Sequence, residues 1–335
     1  MKKLSIIIPS YNTEKFIDKN MKTFIDERLY EDVEILIIND GSKDDTARKA
    51  QVYEDSYPGF VRVINKENGG HGSVINRGIL EAGGEYFKVI DADDWVDTNN
   101  LLKLVCDLKA GDEDLVLNPY IKIDQQTRNT SIWGGIEGLD YNVEIDFSVL
   151  EEKKVHIALH SATIKTQILK DNRIVMTENC FYEDFEYTLY PIPFIRNCRL
   201  LDYPVYYYLV GQKTQSVNAY SSLKNISMYK KVMYDSIDYF NNVKESLSKN
   251  TKIYMESCIS DYIRSMYNIY LRNGKVEEIR KLMMESDKEL QKNSPYFYNL
   301  VGRNNGYIKL LRFGGGIFFQ MISRAFCLYK RKEIS

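Results

Sequence analysis

The sequence predicts an α/β fold with a mostly parallel sheet and a C-terminal helical extension. Three observations predict it. Short continuous apolar runs alternate with amphipathic stretches four times within about the first hundred residues, the rhythm of βαβ units. Three of the four runs drive straight into polar clusters, SYN, NDGS and DADD, as strands do where a ligand is held past their carboxyl ends. Beyond about Tyr220 the strand-like runs give way to long stripes at helical spacing.

Leu4 to Ile8 is an uninterrupted apolar run ended by Pro9. It reads as a central strand, because a strand covered on both faces has no polar side to alternate with. Ser10 to Thr13 is a polar loop, and Phe16, Ile17, Met21 and Phe24 space a helix that ends near Ile25. Val33 to Ile38 is the second strand, closing in Asn39-Asp40-Gly41. Ser42, with Asp45 three residues on, resembles a capping box opening the next helix. Phe60 to Ile64 is a third strand, Asn68 to Gly72 a glycine loop and Ser73 to Ala82 a helix. The fourth strand, Phe87 to Ile90, runs into Asp91, Asp93 and Asp94, which belong past its end and not inside it.

After that the pattern loosens. A helix from Leu101 to Leu108 and a strand from Leu115 to Asn118 lead into a stretch containing Trp133. Tyr203 to Leu209 is a tyrosine-rich strand closed by Gly211 to Ser216. Residues 1–219 therefore form an α/β domain. Residues 220–298 are helical, with one core stripe through Tyr229, Met233, Ile237 and Phe240 and another through Cys258, Tyr262, Met266 and Ile269. Residues 299–335 form an apolar and basic tail, too short to span a bilayer and suited to a helix lying at a membrane surface. Its plain alternative is a helix docked on the core with a solvated basic end.

Composition narrows the function classes. A net charge of −2, with 44% apolar and 27% charged residues, is the profile of a globular protein and gives no electrostatic case for nucleic acid. The five cysteines are scattered and never form a C-x-x-C pair, which argues for reduced thiols in a cytoplasmic protein. The chain opens directly on a strand-like run, without a signal peptide's apolar segment. The three histidines, His71, His156 and His160, lack zinc spacing and read as hydrogen-bonding residues. Gly70-x-Gly72 is a poor dinucleotide fingerprint, since Ile75 stands at its third glycine position, and a P-loop motif is missing.

The carboxylates remain. Asp91 and Asp93, two apart at a strand end, can share a divalent cation that neutralises a diphosphate. A solvated turn that caps the next helix through Asp97 or Thr98 is the plain reading of the same stretch. Asp184, framed by aromatics in Phe181 to Tyr187, suits a general base in a partly apolar pocket, where its pKa would rise.

Together these motifs resemble family-two inverting glycosyltransferases with the GT-A fold, the group that builds bacterial capsular and exopolysaccharides. The matching stretches are SIIIPSYN (Ser5 to Asn12), ILIINDGSKDDT (Ile35 to Thr46), NGG…INRGI (Asn68 to Ile79), GEYFKVIDADDWVD (Gly84 to Asp97), YEDFEYTLYP (Tyr182 to Pro191) and YYYLVGQKTQS (Tyr206 to Ser216). They cover roughly the first 220 residues. The resemblance implies that Pro9, Tyr11, Asn12 and Glu14 line the nucleobase and ribose pocket, with Asp40 holding the base. Asp91 and Ala92 would lie against ribose or phosphate, and Asp93, with Asp91, would coordinate Mg²⁺ or Mn²⁺. Asp184 would deprotonate the acceptor hydroxyl, with Asp94, Trp95 and Glu183 near the sugars, and Gln215 and Ser216 would donate to the diphosphate. Ile75 departs from the family, many of whose members carry arginine there, so phosphate contacts in the Gly70 loop would fall to Arg77, Lys66 or His71.

The activity implied is metal-assisted transfer of a hexose from a UDP-sugar to a lipid-linked or growing glycan, at the inner face of the cell membrane. The tyrosine-rich helical half could supply a homodimer interface. Two other readings stay open, a nucleotidyltransferase and a non-catalytic sugar-nucleotide or glycan-binding relative. Against the first, Pro9-Ser10-Tyr11-Asn12 is nothing like the glycine-rich basic loop it needs; against the second, Asp40, Asp91, Asp93 and Asp184 are all intact.

Overall fold

The central apolar runs become strands because they are walled in on both sides. Every side chain of β1 (Leu4–Ser10) is buried, and β1 lies between β2 (Val33–Asp40) and β4 (Tyr86–Val89), with β3 (Val61–Lys66) beyond β2. These four are parallel. Strand β1 runs two residues past the expected end, through Pro9 and Ser10. Pairing with β4 has already stopped at Ile7↔Val89, so Pro9 lies beyond the stretch flanked on both sides. The helices between them are α1 (Ile17–Lys22), α2 (Thr46–Ser56) and α3 (His71–Glu81).

The computed structural model describes residues 1–211, 219–274 and 277–334 and divides into two units, Met1–Gln212 and Lys213–Ser335. In the first unit the chain continues through β5 (Trp95–Val96), α4 (Thr98–Ala110), β6 (Leu115–Leu117), β7 (Tyr120–Asp124), β8 (Thr130–Trp133) and β9 (Glu144–Asp146). It then passes α5 (Ser148–Lys153), β10 (Ala162–Lys165), α6 (Thr166–Asp171), α7 (Asp184–Leu189), β11 (Asn197–Leu200) and β12 (Tyr206–Val210). The main sheet has the order β3-β2-β1-β4-β10-β6-β11-β9, with β10 antiparallel to both its neighbours and β9 antiparallel to β11. A second sheet, β5-β12-β7-β8, carries the tyrosine-rich strand. The carboxyl ends of β1, β2 and β4 open on one edge, which brings Tyr11, Asp40 and Asp91 to the same side of the sheet.

The second unit is helical: α8 (Ala219–Lys224), α9 (Ile226–Val243), α10 (Lys249–Arg272), α11 (Glu277–Asn293), α12 (Pro295–Asn304), α13 (Gly306–Arg312) and α14 (Phe319–Ile334). The expected stripes are its core, with Tyr229, Met233, Ile237 and Phe240 buried on α9 and Cys258, Met266 and Ile269 on α10. Residues 299–334 are three helices and not one, broken at Asn305 and at Gly314 and Gly316, both of positive φ. Val301, Ile308, Leu311 and Phe319 are buried, and the Arg312 guanidinium donates to Asp287 at 2.7 Å and to the Tyr267 hydroxyl at 2.8 Å. Phe313, Ile317, Met321 and Leu328 point to solvent. No described helix is long and apolar enough to cross a membrane.

Candidate active site

The end of β2 is a finished piece of structure. Asp40 is 2% exposed, and its carboxylate accepts from the Lys66 ammonium (2.6 Å) and from the Gly69 and Gly70 amides (2.9 and 2.8 Å). The Lys66 ammonium donates in addition to the Glu67 carbonyl and the Ser73 hydroxyl. Asp40, Lys66 and Gly70, expected on the nucleotide, thus hold one another and shape the loop ahead of α3. Nearby, the loops after β1 and β2 are laced together. The Asn12 amide donates to Ser42, the Lys43 amide to the Asn12 side chain and the Asp45 amide to Glu14. Ser42 is thereby drawn toward Asn12, the expected capping box does not form, and Asp44 binds the Thr46 amide instead. Tyr11 stands exposed on the same edge while Pro9 is buried.

The end of β4 is different. Asp97 does cap α4, accepting from the Asn100 amide, but the three carboxylates before it do other work. Asp91 is tied on one oxygen to His71 Nε2 (2.9 Å), and its other oxygen lies 3.2 Å from the Tyr206 hydroxyl. Asp94, expected beside a sugar, is buried. One oxygen accepts from Tyr206 (2.6 Å), the other from the Leu209 amide (2.7 Å), and Asn20 holds the turn through the carbonyls of Asp91 and Asp94. Burial first, then the charges of Asp93 and Asp91, holds the Asp94 pKa well above the usual carboxylate range. Asp93 is half-buried and Ala92 buried between its neighbours. Trp95 is also engaged, stacked on Tyr207 with ring centroids 5.8 Å apart and with the Lys19 ammonium over its ring.

The third component is the segment ahead of α7. Glu183 is buried, with one oxygen bonded to His71 Nδ1 at 2.6 Å and the other, Oε2, without a hydrogen-bond partner among the described residues. Asp184 opens α7 with a side chain 58% exposed, one oxygen 3.9 Å from His71 Nδ1. Desolvation, then the neighbouring Glu183 charge, pushes the Asp184 pKa up to about 7, and access to solvent screens part of that push. For His71, burial disfavours the imidazolium, but Asp91 and Glu183 outweigh it and raise its pKa well above the usual value. One edge of the sheet therefore brings Asp91, Glu183 and Asp184 around one histidine, although Asp184 lies 93 positions beyond Asp91 in the chain.

Two more groups complete the wall. His160 lies against Tyr120, Tyr206 and Tyr208, with ring centroids 5.0, 4.8 and 4.2 Å away, and burial lowers its pKa to about 4. Lys88, inside the apolar run of β4, is wholly buried and donates to the carbonyls of His160 and Ala162; burial lowers its pKa to about 7. Among the described residues, ligand-capable atoms gather within 4.8 Å in two trios, His71-Glu183-Asp184 and Asp91-Asp94-His160. Gln215 and Ser216 lie outside the described residues. Sequence reasoning missed the centrality of His71, whose place in the glycine loop was its one signal, and of Tyr206, hidden in a run of three tyrosines. Nothing in the sequence marked His160 or Asn20.

Comparison with known proteins gives one answer. Residues 5–171 match the family model described as "Glycosyl transferase family 2". Glycosyltransferase GlyG of Streptococcus pneumoniae is 31% identical over 144 residues, 42% of this chain and 46% of the relative. The putative glycosyltransferase EpsH of Bacillus subtilis is 35% identical over 128 residues, 38% of this chain and 36% of the relative. The matched stretch thus spans less than half the length of these curated relatives. Among solved structures, S. aureus TarS 1–349 superposes with a TM-score of 0.69 at 16% identity, covering 99% of this chain and 92% of that one, and shares the GT-A fold. With the matched motifs, the sheet and the carboxylate cluster in agreement, the chain belongs to glycosyltransferase family 2.

Proposed function

We propose that the protein is an inverting hexosyltransferase that moves a sugar from a UDP-sugar to a hydroxyl of a lipid-linked or growing glycan, with Asp184 as general base. The observation that carries this reading is Asp184 itself: an accessible carboxylate 3.9 Å from His71, with a pKa raised to about 7. In its ionised form it takes the proton of the acceptor hydroxyl. The oxygen then attacks the anomeric carbon from the face opposite the departing UDP. TarS was solved with UDP-GlcNAc, which supports a uridine diphosphate donor for this chain. Tyr11, Asn12 and Glu14, on the loop after β1, would line the nucleoside side.

The donor set fits a hard divalent cation. Asp91 and Asp93 offer carboxylate oxygens, and the buried Glu183 Oε2 lacks a donor among the described residues. Asp91 and Asp93 would hold Mg²⁺ or Mn²⁺, which when bound supplies charge compensation to the diphosphate. Attachment to an anionic membrane surface is supported by exposed Ile317, Met321 and Leu328 and by Arg324, with Lys330, Arg331 and Lys332 following in sequence. Replacing Ile317, Met321 and Leu328 together by serine should abolish flotation with phosphatidylglycerol vesicles; unchanged flotation would reject the membrane part.

The test of the catalytic part is UDP release from a panel of UDP-sugars, with Mn²⁺ or EDTA, alongside Asp93→Asn and Asp184→Asn. Release from one donor, lost with EDTA and in both variants, is the expected result. Absence of release from every donor, with no metal-dependent UDP binding, would overturn it.

A further inference from the structure

Of the three groups that could meet phosphates in the loop ahead of α3, two are committed elsewhere: Lys66 to Asp40 and Ser73, and Arg77 to Glu81 at 2.8 Å. His71 spends both ring nitrogens on carboxylates, Nε2 on Asp91 and Nδ1 on Glu183. The rest of the loop faces the stretch that leads to Asp184. Asn76 clamps the backbone of Met176, accepting from its amide at 2.7 Å and donating to its carbonyl at 2.9 Å, and also reaches Glu178. The Asn179 amide donates to the Gly69 carbonyl at 2.6 Å.

Close approach depends on the glycines. A Cβ at Gly72 would stand 2.3 Å from the Thr177 carbonyl oxygen, and one at Gly70, whose φ is +82, 3.3 Å from the Asn179 backbone. The stretch being held carries its own strain: Asn179 and Tyr182 have φ of 53 and 77, and a tyrosine adopts that region only where its surroundings enforce it. At its start, Thr177 is folded back on α7 by its amide and hydroxyl, which donate to Glu186 at 2.6 and 2.7 Å.

We propose that this glycine loop is a cradle for the 176–184 segment and that His71 is its positioning residue, locking Glu183, and so the direction of Asp184, against Asp91. The proposal rests on the reading of Asp184 as the base. It gives the loop a task other than holding phosphates and makes His71 a strut between the donor-side carboxylate and the base. It acts through Nδ1, toward Glu183, more than through Nε2.

The two nitrogens can be tested separately, because an asparagine amide reaches about where Nδ1 lies and a glutamine amide about where Nε2 lies. His71→Ala should lower kcat for UDP release roughly 10–100-fold, while the KM of the donor active in the panel and the Kd of UDP by calorimetry stay within about twofold. His71→Asn should recover most of the loss and His71→Gln little. Gly72→Ala should show the same split, and hydrogen exchange in peptides covering 176–183 should rise in Gly72→Ala and His71→Ala. Weaker UDP binding with kcat retained would overturn the proposal, making His71 a phosphate ligand, and so would rescue by glutamine alone. Unaltered kinetics with unaltered exchange would overturn it too. Full turnover in Asp184→Asn would remove the underlying reading instead, an outcome separate from all of these.

Discussion

Two carboxylate sites sit at the ends of parallel strands on either side of β1, and they have opposite characters. At the end of β2, Asp40 is sealed in and meets one ammonium and two backbone amides, so its charge is matched donor for donor. At the end of β4 and the start of α7, Asp91, Glu183 and Asp184 gather around His71, Asp91 and Asp94 meet at the Tyr206 hydroxyl, and among the described residues a buried oxygen of Glu183 is left without a donor. Matched charge is scaffold, whereas crowded, under-compensated charge shifts pKa values and is available for chemistry. The family resemblance treats both clusters as ligand contacts. The geometry separates them.

The sharpest break in that contrast comes from removing the proposed base. Asp184→Asn is expected to cut turnover by roughly 10²–10⁴-fold while leaving UDP affinity in place. In the wild type, kcat should fall about tenfold per pH unit below about 7, because only the ionised carboxylate accepts the proton. The stability sign runs the other way. A carboxyl whose folded pKa is raised above 3.8 favours the native state below that pH and loses the benefit as pH climbs toward 7. The melting temperature of Asp184→Asn, measured against wild type, should therefore gain from pH 4 to pH 7, modestly, given the exposure of the side chain. A flat kcat profile across that range would take Asp184 out of the role.

Asp40→Ala tests the other half. It strands Lys66 and two loop amides in a mostly buried site, and we expect a loss of roughly 2–4 kcal/mol in urea unfolding. UDP affinity should weaken only as far as the loop is disordered. If Asp40→Ala abolished UDP binding with the unfolding midpoint unmoved, Asp40 would be a base contact after all and the contrast between the clusters would fail.

How much of this was legible depends on distance along the chain. Strands β1 to β4 and their order of appearance follow from continuous apolar runs, and the collection of polar residues on one edge follows from parallel pairing. Asp184 stands out as a candidate base by its setting among aromatics. The sequence could not say where the carboxylates point. Asp94 differs from Asp93 by one position, yet the turn held by Asn20 sends it into the protein toward Tyr206 and Leu209, contacts more than a hundred positions away. The capping box at Ser42 failed for a related reason, since a loop thirty positions earlier took the hydroxyl. Lys88 is the opposite case, a charged residue in an apolar run that the strand buries whole, because the carbonyls of His160 and Ala162, just before and at the start of β10, receive it.

The smallest expected effect is at Asp94, and it probes the contrast from inside the crowded cluster. Burial and the charges of Asp93 and Asp91 raise its pKa well above the usual range, which favours the uncharged carboxyl, and asparagine has the shape of that form. The asparagine oxygen can accept from the Leu209 amide, and its amide can donate to the Tyr206 oxygen, which leaves the tyrosine hydrogen for Asp91. Asp94→Asn should thus keep kcat within about threefold and alter stability by less than about 1 kcal/mol, whereas Asp94→Ala removes the carboxyl that both the Tyr206 hydroxyl and the Leu209 amide bond to in a buried site and should lose roughly 1–3 kcal/mol. Collapse of turnover in Asp94→Asn with normal folding would mean that an ionised Asp94 takes part in the reaction. The functional carboxylates would then reach one position deeper into the turn than their burial suggests.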